Sequence, residues 1–176
     1  MSESAPFAAD RYELELAEGG VEALIVVPLP ESEAPWLGEA FAAIDPWASY
    51  ACSATTLGTY LTKQEPGAPR FLLKLGGRVA GAAGVRLGWL RGPYIQFLGV
   101  LPGFQRRGLG SAVLAWAERE ARSSEERNLW VAASDINADA IRFYARHGFG
   151  QAARLEGLVC DGRTEILLRK RLTYGV

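Results

Sequence analysis

The sequence predicts an α/β layered domain in which helices flank a mixed, mostly antiparallel central sheet. Two-residue signals typical of tight hairpins, Gly76-Gly77 and Asp161-Gly162, separate strand-like runs and indicate antiparallel neighbours. Residues 94–134 differ, because a strand pattern there passes into a long helical pattern and then into another strand. That order is typical of a strand–helix–strand crossover, so we expect one crossover in an otherwise antiparallel sheet.

Length and composition favour a single domain over residues 1–176, with residues 1–11 as a loose lead-in. Apolar residues make up 49% of the chain, which is enough to form a core. The net charge of −1 argues against non-specific binding of nucleic acid. No apolar run reaches membrane-spanning length and the N-terminus lacks signal-peptide features, so we expect no membrane association and a cytoplasmic location.

The cysteines and the histidine limit the metal chemistry. Cys52 and Cys160 are far apart in the sequence and fit no zinc or redox spacing, so we interpret them as reduced thiols. His147 is the only histidine, which excludes a zinc site built on histidines. A Ser-His-Asp triad is excluded as well, unless His147 is its base. We therefore expect no bound metal.

The first elements are two short strands. Residues 12–17 and 21–27 have strand-like composition, and the second run is rich in strand-forming side chains. Glu18-Gly19-Gly20 lies between them and favours a hairpin.

Two short helices follow the first strands. Ser32 is a candidate N-cap for a helix over residues 33–44, because a serine oxygen can accept from a free N–H of the first turn. Thr55 or Thr56 starts a second helix that ends near Lys63, before a stretch rich in proline and glycine.

Strands dominate the middle of the chain. Residues 70–75 and 78–86 flank the Gly76-Gly77 turn, residues 88–93 are predicted to form a loop, and residues 94–100 form a buried strand.

The apolar period becomes helical after residue 108. A helix over residues 108–122 is predicted by one apolar stripe at helical spacing, formed by Leu109, Ala112, Val113, Trp116 and Ala117. A short apolar strand over residues 129–134 completes the crossover.

The last elements are one helix and two strands. Asn137 is a candidate N-cap for a helix over residues 138–147, and Gly148 closes that helix in the left-handed region. Strands over residues 149–158 and 163–170 are joined by the Asp161-Gly162 turn.

The segment from residue 100 to 111 is the candidate binding site, because a strand ends there and a long helix begins. Free N–H groups and the helix dipole favour an anion at such a position. Gly108 and Gly110 have no β-carbons and let a phosphate approach, Arg106 and Arg107 add positive charge, and Ser111 adds a hydroxyl donor. The segment is neither a Walker loop nor a complete G-x-G-x-x-G, so a plain structural turn is the alternative.

This segment resembles the Q/R-x-x-G-x-G/A signature of the GNAT superfamily of acetyltransferases, with Val100 and Pro102 where that family places its V-x-P. A second block resembles the family's N-x-x-A-x-x-F-Y-x-x-x-G-F segment, with Asn137, Ala140, Phe143, Tyr144, Gly148 and Phe149. The blocks occur in the family's order. The resemblance covers about residues 23–172 and is strong over residues 94–149.

The resemblance implies that the chain binds acetyl-CoA as its acyl donor. The diphosphate would contact the helix start, at Gln105, Arg106, Arg107, Gly108, Leu109, Gly110 and Ser111. The pantetheine arm would pair with the strand edge at Leu98, Gly99 and Val100, with the N–H of Leu98 or Val100 facing the thioester oxygen. Gly99 marks a bulge or a close approach, and a packing glycine is the alternative. Asn137 either caps its helix or bonds the arm.

Tyr144 is the candidate general acid, because the resemblance puts it near the sulfur of the leaving thiolate. A core tyrosine is the alternative. Many relatives carry a glutamate on the preceding strand as base, but residues 86–111 contain no Asp or Glu and Gln96 cannot take a proton. Either a chain of water molecules carries the proton away, or an acid from the N-terminal helices, Glu39 or Asp45, is the base; His147 is a further candidate.

The predicted function is acetyl transfer from acetyl-CoA to a primary amine, either a small molecule or a protein N-terminus. A module that binds acetyl-CoA without turnover stays open, as does a longer acyl chain. The candidates for lining the acceptor pocket are the aromatic residues Trp36, Trp47, Tyr50, Tyr60 and Trp89. Burial in the core is the alternative for each. The last two strands are a candidate homodimer contact, and the sequence does not identify the acceptor or the base.

Overall fold

A computed structural model describes residues 5–16 and 22–172. The strands are β1 Tyr12–Leu14, β2 Leu24–Pro28, β3 Arg70–Leu75, β4 Arg78–Trp89, β5 Gly92–Val100, β6 Asn128–Ser134, β7 Gly150–Glu156 and β8 Thr164–Arg171. The helices are α1 Ala34–Ala42, α2 Ala54–Thr62, α3 Leu109–Ser123 and α4 Ala138–Arg146, and a 3-10 turn, Glu31–Glu33, precedes α1. The eight strands form one sheet in the order β1-β2-β3-β4-β5-β6-β8-β7.

The sheet confirms the predicted fold class. Each described strand pairing is antiparallel except that of β5 with β6, which are joined through α3. This pair is the predicted crossover. It also ends early, because Tyr94 pairs with Trp130 and Ile95 with Val131, and no further residue of β5 pairs with β6. The two strands therefore separate toward their carboxyl ends.

Helices cover both faces of the sheet. On one face, the Phe41 ring of α1 lies 5.1 Å from the Phe97 ring of β5. On the other face, the ring centres of Trp116 of α3 and Phe71 of β3 lie 5.0 Å apart. Strand register places Phe97 and Phe71 on opposite faces of the sheet, so each helical layer buries its own apolar surface.

The predicted irregularity of β5 lies earlier in the strand than Gly99. Gly84 pairs with Phe97 and Val85 pairs with Ile95, so Gln96 is the unpaired residue of a β-bulge. Gly99 instead meets α1, because a β-carbon there would lie 2.4 Å from the Phe41 ring. The alternative interpretation of Gly99, a packing glycine, therefore describes it better than a bulge.

Two predicted helix starts are wrong. Helix α1 has Glu33 at its N-cap position without a side-chain hydrogen bond, and Ser32 belongs to the preceding 3-10 turn. Helix α2 begins one residue before Thr55, and Ser53 caps it by accepting from the Thr56 N–H at 3.0 Å. Asn137 does cap α4 as predicted.

The predicted loop over residues 88–93 is a tight hairpin. Strand β4 runs to Trp89 and β5 begins at Gly92, with Leu90 and Arg91 between them at φ values of 45° and 62°. Asn128 Nδ2 donates to the carbonyl oxygens of both turn residues, at 3.1 Å and 3.2 Å. These long-range hydrogen bonds support a left-handed backbone that neither side chain favours.

The lead-in also differs from the expectation in the part that the structure describes. Phe7 is buried, its N–H donates to Glu120 Oε2 at 2.6 Å, and its ring lies 5.1 Å from that of Trp116. The predicted turn Glu18-Gly19-Gly20 lies outside the described residues, although β1 and β2 pair as antiparallel neighbours. Among the described helices, none is long and apolar enough to cross a bilayer.

Candidate functional site

A cleft of about 600 Å³ opens between the carboxyl end of β5, the start of α3 and the helix α4. We call it the α3 cleft. Its lining residues are Ile44, Asp45, Pro46, Trp47, Leu98, Gly99, Val100, Phe104, Gln105, Arg106, Gly108, Leu109, Gly110, Ser111, Asn137, Asp139, Ala140, Phe143, Tyr144 and Arg146. With the exception of Arg107, the structure brings all the predicted site residues together in this cleft.

The start of α3 presents free backbone donors. Its first helical hydrogen bond runs from Ala112 N–H to Gly108 O, so the N–H groups of Leu109, Gly110 and Ser111 have no acceptor within the helix. Arg106 and Gly108 both have positive φ, 61° and 80°. Left-handed residues in such a turn direct successive N–H groups toward one side, a geometry that binds anions.

The two glycines of this turn serve different purposes. Gly108 has open space around the position of a β-carbon, so its φ of 80° is the reason for a glycine there. At Gly110 a β-carbon would lie 3.0 Å from the ring of Phe143 on α4. Gly110 therefore permits close packing of α3 against α4, in addition to any approach of a ligand.

Some polar side chains of the turn already form hydrogen bonds within the protein. Gln105 Nε2 donates to Val100 O at 3.1 Å and thereby occupies one carbonyl of the β5 edge. Ser111 Oγ lies 2.9 Å from His147 Nε2, so His147 positions α3 against α4. Arg106 lines the cleft, whereas the Arg107 guanidinium carbon lies 5.9 Å from the centre of the Phe104 ring, outside the cleft lining.

Asn137 lies where both of its expected roles are compatible. Its Oδ1 accepts from the Ala140 N–H at 3.1 Å, which caps α4. Its Nδ2 is left for another partner, because the cap uses only the oxygen. The residue lines the α3 cleft and also the neighbouring cavity.

That neighbouring cavity, of about 400 Å³, lies between the α1–α2 segment, β5 and β6. We call it the aromatic cavity. The rings among its lining residues are those of Trp47, Tyr50, Tyr60, Tyr94, Phe97 and Tyr144. Trp47 stacks on Phe97 with ring centres 4.8 Å apart, and Tyr60 lies 5.6 Å from Phe97. These rings form the wall that faces the gap between β5 and β6.

Tyr144 lies at the junction, because it lines both the α3 cleft and the aromatic cavity. Its side chain is buried, and this burial raises the pKa of the phenol to about 12. Tyr144 therefore carries its proton throughout the neutral range. No hydrogen bond from its hydroxyl to another described residue competes with a ligand.

Glu165 was not predicted, and it lines the aromatic cavity from β8. It is only 8% exposed and accepts a hydrogen bond from the Tyr50 hydroxyl. Burial raises the pKa of Glu165, and the Tyr50 hydrogen bond opposes the rise. The available sequence signal was a carboxylate directly before the apolar run Ile166-Leu167-Leu168 of a buried strand, a position where acids are rare.

The residues considered earlier as a base lie elsewhere or are engaged. Glu39 is exposed on α1 and lines neither the cleft nor the aromatic cavity. Asp45 lies at the cleft but accepts from the Ser49 N–H at 3.2 Å. His147 lies behind the cleft, with Nδ1 2.8 Å from Phe143 O. Among the described residues, no group of three or more His, Cys, Asp or Glu side chains is arranged to hold a metal.

Comparisons with known proteins agree with this geometry. A family model described as the Acetyltransferase (GNAT) family matches residues 29–149. An aminoalkylphosphonate N-acetyltransferase of Salmonella typhimurium is 41% identical over 58 residues, which cover 33% of this chain and 38% of that protein. For four curated relatives that the chain matches, the match covers 38% to 66% of the relative's own length, less than two thirds.

Solved structures show the same fold. The ribosomal-protein-S18-alanine N-acetyltransferase from Escherichia coli has a TM-score of 0.69 at 20% identity, covering 87% of this chain and 96% of that one. A GNAT family acetyltransferase from Elizabethkingia anophelis with acetyl-CoA bound has a TM-score of 0.64 at 17% identity, covering 85% and 98%.

Proposed function

The chain belongs to the Acetyltransferase (GNAT) family, and from this premise we propose that it transfers the acetyl group of acetyl-CoA to a primary amine by direct attack in a ternary complex. The acceptor is a small molecule or a peptide N-terminus. The observation that carries the proposal is the junction at Tyr144, where an anion-binding cleft meets a separate cavity. A thioester bound at this junction would have the rest of coenzyme A in the cleft and the acceptor amine in the cavity.

The α3 cleft fits coenzyme A in chemistry. Free N–H groups at the start of α3 suit a diphosphate, and Arg106 and Arg146 line the same cleft. The β5 edge offers backbone groups from Leu98 to Val100 to the amides of a pantetheine arm, since β6 has already separated from β5 there. The free Nδ2 of Asn137 is a further donor to that arm.

The N–H of Leu98 or Val100 is the candidate donor to the thioester oxygen. As the amine nitrogen bonds to the carbonyl carbon, negative charge develops on that oxygen. A backbone donor that is already oriented stabilises this charge without reorganisation. The rigid packing of Phe41 against Gly99 supports the required position of the strand.

Tyr144 is the proposed general acid. The C–S bond breaks as the amide forms, and sulfur leaves as a thiolate that takes the phenolic proton. The proton released from nitrogen, as it becomes an amide, restores the phenol. A phenol with a pKa of about 12 is fully protonated before each turnover.

Thiol release tests this proposal most directly. We expect wild-type protein to bind acetyl-CoA by calorimetry and to release coenzyme A only when an amine is present. Tyr144→Phe should lower kcat by about 100-fold or more, the typical range for losing a general acid, while acetyl-CoA affinity stays within about threefold. Tyr12→Phe, on the remote strand β1, is the matched control and should retain the wild-type kcat.

A module that binds acetyl-CoA without turnover is the second candidate. The missing carboxylate of residues 86–111 favours it, because the expected strand base is absent. Acetyl-CoA binding without thiol release from any amine would support the module and overturn the transferase. Absence of binding would overturn both.

The proposal includes three further features. Residues 1–176 act as one domain, because β1 and β8 belong to the same sheet. A cytoplasmic setting is consistent with the free thiols of Cys52 and Cys160. A homodimer would use β7, the edge strand, near which Leu158 and Val159 are exposed. A monomeric mass by light scattering would remove the dimer from the proposal.

A further inference from the structure

We infer that Glu165 holds and deprotonates the acceptor amine, and that the aromatic cavity selects a primary amine with one positive charge on a flat apolar body. This inference rests on the proposed transferase function and identifies its base and its acceptor class. It replaces the strand base that β5 lacks with a carboxylate from β8, on the opposite side of the gap between β5 and β6.

The geometry brings Glu165 to the acceptor side of the junction. Glu165 pairs with Ser134 across β8 and β6, and both side chains line the aromatic cavity. Tyr144, Leu98 and Asn137 line the same cavity and also the α3 cleft. An amine in the cavity therefore lies between the carboxylate and the residues that border the proposed site of the thioester.

Glu165 is a buried acid without a cationic partner. It is 8% exposed, and among the described residues it forms no ion pair. No lysine or arginine lines the aromatic cavity. Buried carboxylates are normally paired with a cation because the lost hydration is costly. The ammonium group of a bound acceptor supplies the missing positive charge.

Ser134 is a second buried polar residue of the cavity, and its hydroxyl is available to a ligand. It is 2% exposed, and its hydroxyl has no hydrogen-bond partner among the described residues. Its hydroxyl is close enough to the Tyr50 hydroxyl to lower the pKa of that phenol, whereas burial and the Glu165 hydrogen bond raise it. A buried hydroxyl beside a carboxylate without a cationic partner forms a polar recess in the aromatic cavity. An ammonium group with several N–H donors satisfies such a recess.

The groups facing Glu165 favour a basic carboxylate. Burial raises its pKa, the Tyr50 hydroxyl lowers it, and Asp135 raises it. Asp135 forms an ion pair with Arg154, whose Nη2 lies 3.5 Å from Asp135 Oδ2. Tyr94 of β5 faces Glu165, and Cys160 lies near Tyr50. A carboxylate with a raised pKa is a stronger base.

The proton balance follows from this arrangement. The acceptor enters as an ammonium ion and transfers one proton to the Glu165 carboxylate. The neutral nitrogen then bonds to the acetyl carbon, the C–S bond breaks, and Tyr144 protonates the sulfur. The second proton released by nitrogen restores Tyr144, and Glu165 returns its proton to solvent when the products leave.

The lining residues define the acceptor class. Aromatic rings favour a flat apolar body and a single nearby cation. A second ammonium group would have no counter-charge, because no carboxylate other than Glu165 lines the cavity, and a carboxylate on the substrate would be repelled by Glu165. The cavity therefore disfavours diamines and amino acids with a free carboxyl group.

The test compares Glu165→Gln with wild type, using 2-phenylethylamine as acceptor. We expect kcat/KM for the amine to fall by about 100-fold or more, with unchanged acetyl-CoA affinity by calorimetry. The matched control is Glu156→Gln, an exposed carboxylate on the adjacent strand β7 that should retain wild-type kcat/KM. Phenylalanine, which adds a carboxyl group to the same body, and 1,4-diaminobutane should each be acetylated at least about tenfold less efficiently.

Tyr50→Phe provides a second test if Glu165→Gln does not fold. Removing the hydroxyl removes a hydrogen bond that lowers the Glu165 pKa, so the acidic limb of kcat/KM should move to higher pH. An unmoved limb, retained activity in Glu165→Gln, or equal use of phenylalanine or 1,4-diaminobutane would overturn the inference while leaving the transferase intact. No thiol release by wild type with any amine would overturn the transferase itself.

Discussion

The α3 cleft and the aromatic cavity share a wall but recognise ligands in opposite ways. The cleft offers main-chain donors at the start of α3, where no N–H from Leu109 to Ser111 has an intrahelical acceptor. The cavity offers side chains, chiefly rings and the single carboxylate of Glu165, with a few hydroxyl and amide groups. Backbone recognition tolerates many side chains provided that the turn keeps its geometry. Side-chain recognition depends on residue identity, so it varies among proteins that share the fold.

The electrostatic arrangements differ in the same sense. In the cleft, Arg106 and Arg146 face the space, while the carboxylates of Asp45 and Asp139 are engaged by Ser49 and Arg142. In the cavity, no basic residue balances Glu165. An anion and a cation are therefore each directed to a different side of Tyr144. Variants that affect only one side test this division.

The largest effect on coenzyme A affinity is expected from a backbone change at the helix start. Gly108→Val places a β-branched residue at a φ of 80°, a region that costs such side chains about 1–2 kcal/mol. Because the turn must shift to relieve the strain, the Kd for coenzyme A should rise by about 30-fold by calorimetry. Gly67→Val has a similar φ of 72° in a turn distant from the cleft and serves as control. Equal loss of affinity in both variants would assign the effect to general instability.

A smaller effect, confined to the cavity, is expected from Ser134→Ala. Removing a buried hydroxyl without a partner should leave the free energy of unfolding unchanged or raise it by up to about 1 kcal/mol. The KM for 2-phenylethylamine should rise by about fivefold, because the ammonium loses one acceptor. Acetyl-CoA affinity should not change. Lower stability with an unchanged KM would show that the hydroxyl serves the folded protein and not the acceptor.

The smallest effect is expected from the side chains of the phosphate turn. Arg106→Ala should weaken coenzyme A binding by about threefold to fivefold at low salt, with less effect as salt rises, because a rim charge is screened by ions. Arg107→Ala is the matched control, since Arg107 lies over the ring of Phe104 and does not itself line the cleft. Titrations at two salt concentrations measure both. A larger effect at Arg107 than at Arg106 would contradict the assignment of the rim.

Most of the fold was predictable because its signals are local. The Gly76-Gly77 turn, the apolar stripe of α3, and the Asn137 cap each depend on residues within one or two turns of one another. The errors occurred where distant contacts decide the outcome. Leu90 and Arg91 form a tight turn because Asn128 bonds their carbonyl oxygens, and Ser53 was overlooked in favour of the threonines beside it.

The candidate site shows the same difference between local signals and distant contacts. Its donor half was predictable from one continuous segment, and the cleft contains every expected residue except Arg107. Its acceptor half was predictable only in part: the sequence pointed to the rings of Trp47, Tyr50 and Tyr60, which line the cavity, and to Trp36 and Trp89, which do not, and it missed Glu165 and Ser134. No local pattern relates a strand glutamate to a tyrosine 115 positions earlier.

The sequence by itself determined the order of the elements and the helix start that suits a diphosphate, because backbone conformation is encoded by neighbouring residues. The tertiary structure alone decided that Gly99 accommodates Phe41, that β5 and β6 separate after Ile95, and that a buried carboxylate lies beside the resulting gap. These features depend on which strands become neighbours, and strand order is set by burial of the whole core.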